Sequence, residues 1–228
     1  MHQYREQTYK PLKRNPNLTV SRYWTYAGIK VQHYKGPLIT QYLDQITNQL
    51  NRSLNEHTSV IVLRFDLHFP VWFDDDDMAQ LKFDIITKFW ESFKAQLKAC
   101  VNRMKKQKVN VTYSNPRYIW CKERDLNKIK HHYHCALILN KEMYEQILEF
   151  HLDENLIITM LEDAWARCLG HSAYEVEGTV YIPQNAVYHV DRGNFEQFDD
   201  VFYRLSYLAK TSTKWFDDGS QWFGSSRG

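Results

Sequence analysis

The stretch Lys130-His131-His132-Tyr133-His134-Cys135-Ala136-Leu137-Ile138-Leu139-Asn140 constrains the fold more than any other part of the chain. Successive side chains of a strand point to opposite faces. His132, His134, Ala136 and Ile138 then share one face, while Cys135, Leu137 and Leu139 point the other way, into a core. Two imidazoles at neighbouring same-side positions of a rigid strand can bind one divalent ion. The plainer alternative is a hairpin with surface histidines.

Two further segments fit the same sheet. Ser59 to Phe69 reads as a buried strand, with apolar Val60–Leu63 followed by alternation through Arg64-Phe65-Asp66-Leu67-His68-Phe69. Arg64, Asp66 and His68 share a face. Arg64 and Asp66 form a buried salt bridge, or the strand lies beside the histidine strand and supplies a metal ligand, a ligand-orienting partner or a DNA contact. Tyr118–Glu123 reads as a strand of the hairpin that leads through 125–130 into the histidines, and counting across the turn puts Glu123 near His132. Its carboxylate is then a candidate third ligand, the alternative being a turn charge beside Lys122 and Arg124. Histidine plus carboxylate suits Mn²⁺ or, more weakly, Mg²⁺.

Helical spacing predicts helices over about 38–54, from the acidic run Asp74–Asp77 to about Met104, over 142–152 and 154–168, and over about 197–214. The acidic run reads as a helix cap. Val109–Tyr113, Thr179–Ile182 and Ala186–Val190 read as further strands. This order predicts an α+β fold, a central antiparallel sheet with packed helices. Residues 1–57 are expected to form a basic N-terminal arm plus a helix, and 58–228 the main domain.

The net charge of +2 conceals an uneven distribution. Lys94–Lys130 holds eleven Lys/Arg against two acidic residues, a net of +9, whereas Lys141–Asp200 holds three against thirteen, a net of −10. A basic band interleaved with Tyr113, Tyr118 and Trp120 suits a nucleic-acid backbone and its bases. The nucleic-acid candidates are Arg64, His68, Arg117, Lys122, Arg124, Lys128, Lys130 and Lys214. With 8 glycines in 228 residues and no phosphate-loop motif, an ATPase or dinucleotide fold is not expected. The four cysteines form no C-x-x-C pair and read as reduced thiols, and neither a membrane span nor a secretion signal is expected, so the expected location is the cytoplasm.

The last predicted helix offers a nucleophile. At 100° per residue, Tyr203, Tyr207, Lys210 and Lys214 fall on one stripe, opposite Val201, Leu205 and Leu208. A phenol near pKa 10 is a weak nucleophile at neutral pH. A divalent ion can polarise a scissile phosphate, and a lysine one turn away can lower the phenol's pKa or hold a phosphate. Attack on DNA would give a 5′-phosphotyrosine and a free 3′-hydroxyl, and a second tyrosine could then attack a second strand.

With these residues assembled, the chain resembles the HUH endonuclease superfamily of rolling-circle replication initiators, relaxases and related transposases. More narrowly it resembles the inovirus gene-two-protein initiators and the prophage-borne YagK/YfjJ-type proteins. The matching pieces are Leu63-Arg64-Phe65-Asp66-Leu67, Trp120-Cys121-Lys122-Glu123, His132-Tyr133-His134, Asn140, Tyr203-x-x-x-Tyr207-x-x-Lys210 and Trp222-Phe223-Gly224-Ser225-Ser226-Arg227. They span about residues 58–228. The resemblance implies a ferredoxin-like or RRM-like sheet with the histidines at its centre. It makes His132 and His134 metal ligands, Glu123 the first choice for the third ligand with Asp66 as rival, Tyr207 the nucleophile and Tyr203 a second one. The implied activity is metal-dependent nicking and joining of single-stranded or hairpin origin DNA in a phage or prophage, with a host helicase opening the duplex. The alternatives are an origin-binding or regulatory protein on the same fold, which binds without cutting, and an enzyme acting on RNA or a primase-like polymerase, for which Asp66 alone is thin support. The oligomeric state is left open.

Overall fold

A computed structural model describes residues 9–81, 84–124, 130–216 and 220–227. The elements run β1 (Lys10–Leu12), β2 (Asn15–Ser21), β3 (Thr25–Tyr26), β4 (Ile29–Lys30), β5 (Leu38–Ile39), α1 (Thr40–Glu56), β6 (Ser59–Leu67), α2 (Asp75–Gln80) and α3 (Ile85–Lys106). There follow β7 (Arg117–Glu123), β8 (His132–Asn140), α4 (Lys141–His151), α5 (Leu156–Leu169), β9 (Val180–Tyr181), β10 (Val187–Asp191), α6 (Phe195–Ser206) and β11 (Phe223–Ser225). The main sheet is antiparallel, in the order β10-β6-β8-β7-β11, with β9 also paired to β6. The protein is therefore α+β. Its strands and crossovers β6-α3-β7-β8-α5-β10 follow the ferredoxin-like order.

Strand alternation divides the core in two. Leu63, Phe65, Leu67, Cys135, Leu137 and Leu139 pack under α3 and α5. On the other face Val60, Val62, Ile119, Ala136 and Ile138 pack against α1 and α6. That second face is apolar over only half of its length. Beyond Val62 and Ala136 it carries Arg64, Asp66, His134 and Glu123, and at His134 and Glu123 a cleft opens.

Several local expectations hold for identifiable reasons. The acidic run is a cap: the Asp74 side chain accepts from Asp77 N–H and the Asp77 side chain accepts from Asp74 N–H. Asn140 closes β8 and caps α4 by accepting from Met143 N–H. Gly170 ends α5 at φ 78°, a conformation in which a Cβ is disfavoured.

Others are corrected. The predicted helix from the acidic run to Met104 is two helices, α2 and α3. Residues 109–113 form no strand: Val111 is buried while its N–H turns back to the Val109 carbonyl, so contacts with the core override β propensity. The N-terminal arm contains small antiparallel sheets, β1-β2-β5 and β3-β4, and α1 shares a core with the main sheet across the expected boundary at 57/58. The final helix ends at Ser206 and continues as a 3₁₀ turn over Tyr207–Ala209. Lys210 is extended and bridges Leu38.

At the sheet's edge β11 pairs with β7, and Gly224 lies opposite Trp120. A Cβ on Gly224 would sit 2.7 Å from the Trp120 indole. Gly224→Ala is expected to cost about 1–3 kcal/mol through overpacking, lowering the thermal midpoint by about 2–4 °C per kcal/mol. An unchanged melting curve would refute this tight packing.

Candidate metal and tyrosine site

The pairing register brings the polar residues together. Glu123 lies opposite His132, Cys121 opposite His134, and Asp66 opposite His134 on the other side. The histidine strand is thus flanked by both carboxylate strands: the Glu123 side follows hairpin counting, and the Asp66 side is one of the two alternatives left open for that strand. His132 Nε2 is 3.2 Å from His134 Nε2, which is 3.1 Å from Glu123 Oε2. The three ligand atoms lie within 4.8 Å of one another, so Glu123, His132 and His134 could hold a metal ion.

Asp66 takes a different place. Its Oδ1 accepts from His134 Nδ1 at 2.6 Å, leaving Nε2 as the ring atom turned toward Glu123 and His132. Arg64 secures this arrangement, donating from Nη1 to Asp66 Oδ1 at 2.5 Å and to the Cys135 carbonyl at 3.1 Å. Burial alone would raise the Asp66 carboxyl, but the His134 hydrogen bond and the Arg64 charge hold it down at about 2. Burial, helped by the neighbouring His134, lowers His132 to about 4, so its imidazole is neutral and has a lone pair to give at neutral pH. These donors could hold a metal ion: two ring nitrogens and one carboxylate, with one ring oriented from behind.

Tyr207 and Lys210 come to the same place. The Tyr207 ring lies edge-on to His134, with centroids 5.3 Å apart. Lys210 Nζ donates to the Tyr207 hydroxyl and is 2.8 Å from Glu123 Oε2. Lys214 adds a second ammonium, 3.6 Å from Glu123 Oε1. Burial would raise Glu123, but His134 and the two lysines carry it far below the usual carboxylate range. Burial and the Glu123 charge raise Tyr207, with Lys210 opposing them. Lys210 itself is raised, the attraction of Glu123 outweighing desolvation.

These groups line a cleft of about 830 Å³ that also includes His68, Trp72, Lys130 and Thr179. His68 stacks on His132, with centroids 5.3 Å apart. Lys130 donates to the Pro70 and Val71 carbonyls at the rim. Trp72, 54% exposed at this rim, was not among the predicted site residues; its only sequence signal is its place just after the strand-ending Pro70.

Across 204 of its 228 residues, 23–226, the chain matches the YagK/YfjJ C-terminal domain. It belongs to that family. It is 34% identical over 202 residues to the uncharacterized protein YfjJ of Escherichia coli (strain K12), covering 85% of this chain and 97% of YfjJ. It is 31% identical over 211 residues to the uncharacterized protein YagK of the same strain, covering 89% and 98%. No solved structure matches. The family match takes in α1 and the small β3-β4 sheet as well as the sheet that carries the site.

The remaining candidates separate. Arg64 and Lys214 correct the expected DNA contacts: both are buried, engaged by Asp66 and by Glu123 with the Lys210 carbonyl. Lys214 was placed on an open helical face, but the chain leaves the helix before reaching it. Tyr203 is 38% exposed and interacts with Tyr34; it is not among the described residues lining the cleft. The two phenols keep their one-turn spacing, since the chain is helical through Ser206, but Tyr203 sits a turn further from the histidines. Arg117 pairs with Glu56 at the far end of β7. Lys122 donates to Ser220 and lies over Trp222, and Arg124 lies over Trp215. Lys128 falls outside the described residues. Among the described residues no helix is long and apolar enough to cross a membrane.

Proposed function

We propose that this chain is a metal-dependent endonuclease and strand-transfer enzyme of the HUH type, acting on single-stranded or hairpin origin DNA in rolling-circle replication of a phage or prophage. One observation carries the reading: a two-histidine, one-carboxylate cluster and a lysine-bound phenol line one cleft. A binding module has no need of a phenol hydrogen-bonded to an ammonium that in turn pairs with a ligand carboxylate. The reading places the protein in the host cytoplasm, with a host helicase as partner.

Tyr207 Oη would attack phosphorus and form a 5′-phosphotyrosine while the P–O3′ bond breaks. The phenol proton leaves to water in the open cleft, and the departing 3′-oxygen takes up a proton to become the hydroxyl. The Lys210 ammonium holds the Tyr207 oxygen and stabilises the charge that it gains. Lys130 and His68, on the cleft wall, would position the flanking phosphates. A divalent ion, Mn²⁺ or Mg²⁺, held by His132, His134 and Glu123 would polarise the scissile phosphate and offset the Glu123 charge that keeps the phenol protonated. Asp66 and Arg64 hold His134 in its ligating orientation.

The test is cleavage of end-labelled single-stranded oligonucleotides with Mn²⁺ or Mg²⁺, read as a labelled protein band. Replacing both His132 and His134 by Ala is expected to remove metal-stimulated cleavage, a loss on the order of 10³. Cleavage that persists in chelator rejects the metal assignment. Binding with no labelled adduct favours a protein that recognises DNA without cutting it.

A further inference from the structure

The catalytic cleft does not end at the histidines. It shares Phe69 and His131 with a second hollow of about 690 Å³, on the other face of the sheet beside the start of α3. That hollow shares Thr87, Trp120 and Gln221 with a third, of about 750 Å³, between α3 and the β7–β11 edge. The three hollows thus adjoin one another around the sheet's end and along β7, whose seven residues span about 20 Å, and are taken together as one groove.

Cations recur along this groove. Lys130 stands in the first hollow, Lys122 in the second, and Lys94, Arg117 and Arg227 in the third. Four of these five come from the +9 segment. Four of the eleven cations of that band, on the successive elements α3 and β7 and at Lys130, thus line one path. Along the path lie the ring of Trp120 and that of Tyr118, the latter stacked on Trp90 with centroids 4.2 Å apart and under the Lys94 ammonium. Glu56, which pairs with Arg117, stands at the far end, Asp84 lines the second hollow, and Glu175 and Glu177 line the first along with Lys130. The spacing of charge over polar and aromatic walls suits a single strand whose phosphates are held without base reading.

We infer that this groove is a second binding site, which carries the single-stranded DNA flanking the cleavage position from the Tyr207 cleft around the sheet's end to the α3–β11 edge. The inference rests on the nuclease reading above and adds to it where the uncut part of the strand lies. It commits Lys94 and Arg227, far from the histidines, to phosphate contact.

The experiment compares thymidine oligonucleotides of about 6 and about 20 nucleotides, lengths that bracket a short site and a long track. Binding to wild type and to the double variant Lys94→Ala/Arg227→Ala is followed by fluorescence anisotropy over a salt series. Lys94 is half-buried and Arg227 exposed, so neither change opens the core. Wild type is expected to hold the long oligomer more tightly than the short one. The double variant should lose about tenfold on the long oligomer, with a salt slope lower by about 1.4. The loss should be confined to that length. Equal affinity of wild type and variant for the long oligomer, or an equal loss on both lengths, overturns the groove, as does wild type that binds neither length. The nuclease reading is decided separately by the labelled-adduct cleavage assay above.

Discussion

Tyr207→Phe is expected to abolish the covalent protein–DNA adduct, with a loss of at least about a thousandfold in cleavage, while Tyr203→Phe forms the first adduct normally. The two phenols are one helical turn apart in sequence but differ in surroundings. Tyr207 is half-buried, its hydroxyl held by Lys210 and its ring against His134. Tyr203 lies on the surface near Tyr34. Removing the Tyr207 hydroxyl leaves the Lys210–Glu123 pair in place, so the change in stability should stay within about 1 kcal/mol. The variant therefore separates chemistry from folding. The measurement is adduct formation on a labelled single strand beside a melting curve. Equal adduct from Tyr207→Phe would remove the assigned nucleophile, whereas adduct lost only in Tyr203→Phe would transfer the role to Tyr203.

The part of this site that lies in the sheet was legible in the sequence because strand alternation leaves little freedom. Once β8 is a strand, His132 and His134 must share a face. Once β7 is its hairpin partner, counting across the turn brings Glu123 near His132, and the register sets it opposite. The Arg64/Asp66 row was also visible, but its role was not. A two-residue period says which face Asp66 occupies and not whether it meets an ion or the back of an imidazole, a difference of side-chain reach.

The region after α6 shows where periodicity fails. The 100° rule placed Lys210 next to Tyr207, which it is, though for another reason: the chain stops being helical and Lys210 bridges Leu38, a residue more than 170 positions earlier. Nothing local signals that pairing. The same break turns Lys214 from an expected surface cation into a buried one. The N-terminal sheets, weakly patterned and stabilised by contacts with α1 and α6, were invisible for the same reason.

That buried lysine gives the largest expected effect on stability. Glu123→Gln should destabilise the protein by about 3–5 kcal/mol, a fall on the order of 10 °C in thermal midpoint. Glu123 is only 1% exposed, as is Lys214, and its carboxylate faces Lys210, Lys214 and His134. Neutralising it leaves two ammonium groups confined together without a counter-charge, and Lys214 cannot reach water. The sign of the pH dependence follows from the lowered Glu123 pKa. The unfolded chain ionises this carboxyl near its ordinary value of 4.5, and the folded chain keeps it ionised to much lower pH. Its contribution is therefore complete above about pH 4.5 and is lost as pH falls toward the folded value. Urea unfolding of wild type and Glu123→Gln in chelator should show a full gap at pH 7 that narrows below about pH 4.5. A gap under about 1 kcal/mol at pH 7 would mean that the lysines are not held by this carboxylate. A gap that widens on acidification would contradict the lowered pKa, and with it the view that one buried charge both anchors the lysine beside Tyr207 and completes the histidine cluster.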